Sequence, residues 1–124
     1  MTPLDLKGRS ALVTGGNRGI GLAAVKALVR AGAAVTFTAR GAEAAREGEA
    51  AGGRAAILDV TDRARLAGAL APGFDILVNN AGVIGPIGRI EDVGLDDWAR
   101  NIETNLVAAF AAIRLALPAM LARG

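Results

Sequence analysis

The residues of this 124-residue chain that can do chemistry are few, and the most informative lie between Ser10 and Gly21. There the sequence runs Ser-Ala-Leu-Val-Thr-Gly-Gly-Asn-Arg-Gly-Ile-Gly, a short apolar stretch closed by Thr14 and followed by Gly15, Gly16, Gly19 and Gly21. Glycine accepts positive φ, its missing side chain lets backbone N–H groups come close to a ligand, and a helix starting directly behind such a turn favours negative charge. The arrangement suits the linked phosphates of a dinucleotide, with Asn17, Arg18 and Ile20 set between the glycines; by itself it equally describes a tight turn that binds nothing. Three further polar groups stand out downstream: Asp59-Val60, Asn79-Asn80-Ala81-Gly82, and Asn105 within Glu-Thr-Asn-Leu.

Composition narrows the chemistry. The chain has no histidine, cysteine or tyrosine, one serine (Ser10) and two lysines (Lys7 and Lys26). Thiol nucleophiles, disulfides, the usual zinc ligands and the commonest general base are excluded, so no metal site is expected and reactivity has to come from a cofactor or from elsewhere. The net charge is +2 and the arginines are spread along the chain, a pattern that does not suit nucleic acid. The N-terminus lacks the basic start and apolar core of a signal peptide, and no apolar run reaches the roughly 20 residues of a membrane span; the expected location is the cytoplasm.

The elements that must position these groups alternate. A strand at 11–13 leads through the glycine turn into a helix whose apolar stripe is Ile20, Ala23, Ala24, Ala27, Leu28 and Ala31, with Leu22, Val25 and Val29 beside it and Gly32 as its stop. A second strand spans 34–38, a surface helix about 42–51, a third strand 55–58, and a short helix runs to about Leu70 with Thr61 or Asp62 as its cap. A fourth strand, Ile76 to Val78, ends at the paired asparagines, and the Gly82–Gly94 segment is a long loop. The last helix begins near Leu95, places Trp98, Ile102, Leu106, Ala109, Ile113 and Leu117 on one face, and is apolar almost all round, which calls for a second covering surface; Pro118 bends its end. Short continuous apolar strands separated by helices predict an α/β, Rossmann-type doubly wound parallel sheet in the order 3-2-1-4, with residues 1–124 as one domain.

The spacing Thr14-Gly15-x-x-x-Gly19-x-Gly21, together with Asp59-Val60, Asn79-Asn80-Ala81-Gly82 and Asn105 in that order, resembles the short-chain dehydrogenase/reductase family across essentially the whole chain. The resemblance implies a nicotinamide dinucleotide held by Gly15, Asn17, Arg18, Gly19, Ile20 and Gly21. It implies that Asp59 accepts from the adenine amino group while Val60 contacts the ring, that Asn79, Ala81 and Gly82 face the nicotinamide-side ribose, and that Asn105 is the one active-site position present. Each has a plainer rival: Asp59 as the cap of the next helix, Asn80 as a structural tie between strand four and neighbouring backbone. In mid-helix among apolar neighbours, Asn105 needs a polar partner.

An NAD site usually carries an acid about 20 residues beyond the glycine turn, where it accepts from the ribose 2′-OH. Thr38, Ala39 and Arg40 occupy that region instead. Arg40, helped by Arg18, can meet a 2′-phosphate, so NADP(H) is expected over NAD(H); the rival reading makes both solvated surface arginines. The family's Tyr-x-x-x-Lys and partner serine have no counterpart here, and the expectation is a truncated, cofactor-binding N-terminal half, inactive alone, whose complete form acts on a small carbonyl or alcohol substrate. The alternative is a non-catalytic NADP(H)-binding regulatory or structural module. A strand-four edge left open and uncovered helix faces predict a homo-oligomer through the last helix or the sheet edge.

Overall fold

Ala11, Leu12 and Val13 are fully buried, which an ordinary amphipathic strand cannot achieve and a strand covered on both faces must. The computed structural model, which describes residues 2–124, places them in β1 (Ser10–Val13) at the inside of a parallel sheet with β2 (Ala34–Ala39), β3 (Arg54–Ile57) and β4 (Ile76–Val78). The order is β3-β2-β1-β4, with Ala11 opposite Val35 on one side and Ile76 on the other. The expected topology and the Rossmann-like architecture are therefore present.

Side-chain alternation divides the interior in two. Ala11, Val13, Val35, Phe37 and Ala39 point to the face covered by α1 (Gly19–Arg30) and by the segment around α2 (Arg46–Ala50). Leu12 points the other way, into a cluster with Leu58, Leu66, Leu70 and Phe74 beneath α3 (Arg63–Leu70) and α5 (Ala108–Arg123). Asp75 fastens the second layer to the sheet. Its carboxylate accepts from the Ser10 N–H at 2.9 Å and pairs with Arg123, at the end of α5, at 3.0 Å.

Several local expectations need correction. The sheet-facing stripe of α1 is Gly21, Leu22 and Val25, while Ile20 stands outside; helix phase, not apolarity, decides which side chains turn inward. The second helix is five residues rather than ten, because Ala45 closes onto Gly41 and Ala42 in a turn before it starts. The third strand begins one residue earlier. Asp62 caps α3, accepting from the Arg65 N–H at 3.2 Å.

The last helix differs most. It runs without interruption from α4 (Leu95–Ile102) through a π turn (Glu103–Val107) into α5, and Pro118 does not stop it. A buried ladder of Ala108, Ala112 and Ala116 seats α5 on the sheet, and the bulky stripe points outward: Leu106, Phe110 and Leu121 are 62%, 65% and 72% exposed. Alanine wins the inner face because its short side chain lets a helix approach a sheet closely. Within Leu95–Arg123 an 18-residue window has mean hydropathy 1.8, so this helix is also long and apolar enough to cross a membrane by length and composition, contrary to the expectation that no apolar run suffices.

Candidate functional site: a cleft at the carboxyl ends of the strands

The glycine turn is built before any ligand arrives. Thr14 continues the β1–β4 ladder by donating its N–H to the Val78 carbonyl at 3.0 Å. Its hydroxyl, 3% exposed, accepts from the Asn80 and Ala81 N–H groups at 3.0 and 2.9 Å. The Asn80 amide returns the tie, donating to the Thr14 and Gly15 carbonyls at 3.1 Å each. Asn80 is thus the structural tie anticipated for it.

Two glycines are required by this packing. Gly15 has φ +66°, and a side chain there would press on Ala81 and the Asn80 amide; at Gly21 a side chain would collide with the Gly15 carbonyl. The first turn of α1 consequently lies directly against the glycine turn. No side chain caps that helix, and the N–H groups of Gly19, Ile20 and Gly21 have no acceptor among the described residues. Open amides at a helix N-terminus favour an anion.

Opposite them is a cleft of about 530 Å³. The glycine turn contributes Gly15, Asn17, Arg18, Gly19 and Ile20; the end of β2 contributes Ala39 and Arg40, and the residues after β3 contribute Asp59 and Val60. Ala81, Gly82 and Thr104 close it on the β4 side. Residues scattered over most of the sequence meet here because parallel strands all deliver their following loops to one edge of the sheet. Asp59 is the only acid lining the cleft among the described residues, and neither Arg18 nor Arg40 is salt-bridged.

Asp59 does not cap α3. Its Oδ1 accepts from the Thr61 N–H at 2.9 Å and hydroxyl at 2.7 Å, leaving Oδ2 without a protein donor. The Thr61 backbone bond and then the Thr61 hydroxyl hold its carboxyl below the usual range; partial burial opposes them and the nearby Arg40 charge adds to them.

Asn79 falls outside the cleft. It donates to the Ala109 carbonyl at 3.1 Å and lines a separate cavity of about 370 Å³ between β4 and α5, with Leu77, Ile113 and Leu117. Strand parity is the reason: Leu77 points to the α5 side, so Asn79 does too, and Asn80 takes the cleft side. That signal was available in the sequence.

Asn105 has the polar partners it required. Within the π turn its Oδ1 accepts from the Val83 N–H at 2.7 Å and its Nδ2 donates to the Val83 carbonyl at 2.8 Å. Asn101, which the sequence reading passed over, accepts from the same Nδ2 at 3.1 Å and donates to Val83 at 3.3 Å. Together they pin the start of the long loop beside the cleft. Glycine-lined backbone, open amides, two unpaired arginines and a free carboxylate oxygen form a donor and acceptor set that fits an adenine dinucleotide.

Comparison with known proteins agrees with this geometry. The family model for short chain dehydrogenases matches residues 9–124. A 3-alpha-(or 20-beta)-hydroxysteroid dehydrogenase of Mycobacterium tuberculosis is 39% identical over 93% of this chain and 47% of its own length. Among solved structures, L-sorbose reductase from Gluconobacter frateurii, complexed with NADPH and L-sorbose, superposes with a TM-score of 0.89 at 29% identity, over 99% of this chain and 51% of that one. NAD+-bound xylitol dehydrogenase gives 0.88 at 29% identity, over 95% and 50%. The chain spans about half the length of the relatives it matches, 47% and 51% for the first two. Its glycine turn, strand order and strand-end cleft are accounted for together: the chain belongs to the short-chain dehydrogenase/reductase family.

Proposed function

We propose that this chain is the NADP(H)-binding portion of a cytoplasmic oxidoreductase acting on a small carbonyl or alcohol. The observation that carries the reading is the pair Arg18 and Arg40, both lining the cleft and both free of ion pairs, where an NAD site would place an acid. The N–H groups of Gly19, Ile20 and Gly21 would hold the linked phosphates, Arg40 and Arg18 the 2′-phosphate, Asp59 and Val60 the adenine, and Ala81 and Gly82 the nicotinamide-side ribose. When bound, the cofactor supplies or takes up a hydride. Asn105, fixed on Val83, stands beside the reacting end and holds backbone there in place.

The proton donor that the family resemblance implies, the tyrosine of a Tyr-x-x-x-Lys motif, has no counterpart in this chain, which contains no tyrosine. The chain alone therefore binds cofactor without turning over carbonyl substrate. In the same reading it assembles through the outward face of α5, where Phe110, Ile113 and Leu117 leave apolar surface uncovered. Calorimetric titration of the folded chain with NADPH and NADH tests the proposal. Tighter binding of NADPH is expected; equal affinities would remove the NADP(H) preference, and no binding to either would remove the cofactor reading.

A further inference from the structure

The spacing of the cleft walls is fixed by a residue that lines the cleft yet keeps all but 1% of its surface buried. Thr38 lies in β2 one residue before Ala39 and two before Arg40, and it is 1% exposed. Its hydroxyl accepts from the Gly15 N–H at 3.0 Å, and its carbonyl accepts from the Gly16 N–H at 3.2 Å. The first two amides behind Thr14 are therefore bound to β2 from inside the protein, and the amides without an acceptor among the described residues follow them, from Asn17 to Gly21. A buried hydroxyl is retained in an apolar layer only at a desolvation cost, so its bond to a glycine amide is a constraint rather than an incidental contact.

Resting on the cofactor reading above, we infer that Thr38 is a positioning residue that fixes the separation between the phosphate-binding amides of the glycine turn and Arg40. A ligand engaging both places at once depends on that separation. One engaging only the glycine turn depends on it less. Thr38 thereby contributes to discrimination between the two nicotinamide dinucleotides through the spacing it sets rather than through a bond of its own, since only NADPH has a charged group at each end of the span.

The test compares wild type, Thr38→Val and Thr38→Ser by titration with NADPH and NADH, on protein whose far-UV circular dichroism matches wild type. Valine keeps the shape and removes the hydroxyl. It is expected to weaken NADPH about tenfold, within the range for residues coupled through a shared network, and to weaken NADH several-fold less. Serine is expected to restore the wild-type ratio of the two affinities. A purely structural role predicts a lower melting temperature for the valine variant with that ratio unchanged, and this result would overturn the inference while leaving the cofactor site standing.

Wild type binding neither dinucleotide would overturn the site itself. Amide exchange on unliganded wild type gives a measurement that needs no variant: the Gly15 N–H is expected to be protected, and free exchange there would refute the constraint.

Discussion

Replacing Arg40 by alanine removes one guanidinium from the rim of the cleft and little else, because its side chain is exposed and makes no ion pair. A hydrogen bond to a charged group contributes about 1.5–3 kcal/mol. Exposure to water and salt moves Arg40 toward the lower half of that range, so the expected loss of NADPH affinity is about ten- to fortyfold. NADH, with a hydroxyl in place of the phosphate, should change less than about twofold.

Calorimetry at two salt concentrations sharpens the assay. Raising salt should shrink the NADPH/NADH affinity ratio of wild type more than that of Arg40→Ala, since the variant keeps only the Arg18 contact to the phosphate. Acidification through about pH 6 should likewise reduce the wild-type ratio as the phosphate loses its second charge. Equal losses for both cofactors, or a wild-type ratio in a folded variant, would refute the assignment of Arg40 to the 2′-phosphate.

Other consequences can be measured directly. Asp75 has its carboxyl held below the usual 3.8, first by the Ser10 N–H and also by Arg123. Its stabilisation is therefore complete above that value and is lost as pH falls through the lower folded-state value; Asp75→Asn should flatten the acid limb of a stability–pH profile there. Thr14→Val leaves the Asn80 and Ala81 amides without their shared acceptor and should destabilise the chain by about 1–3 kcal/mol in urea unfolding. Gly21→Ala should abolish dinucleotide binding in titration, because its methyl collides with the Gly15 carbonyl. Phe110→Glu, on the outward face of α5, should reduce the mass measured by light scattering over a concentration series.

The sheet order was legible because short, mostly apolar runs alternate with helices, and Ala11-Leu12-Val13 runs straight into the glycine turn. The cleft was legible as well: the glycine turn, Arg40, Asp59 and Ala81 all sit where strands end. Orientation was harder to read. Asn79 and Asn80 are adjacent amides, and only the parity carried over from Leu77 separates a side chain on α5 from one on the glycine turn. The sequence leaves the inner face of α5 open because that helix is apolar almost all round, and a close helix–sheet contact selects Ala108, Ala112 and Ala116. Thr38 could not be found by pattern at all, since a threonine in a strand is ordinary and its bond to Gly15 joins residues 23 positions apart.

The π turn at Glu103–Val107 sets the phase between two halves of one long helix. Such a turn carries one residue more than an α-helix allows, which rotates everything beyond it by about 100°. Asn105 can then keep hold of Val83 while Ala108 and Ala112, only a turn later, meet the sheet squarely. In a uniform helix these two attachments would compete for one angular setting. Shortening the segment by a single residue would force the chain to surrender either the anchored loop or the seat of α5.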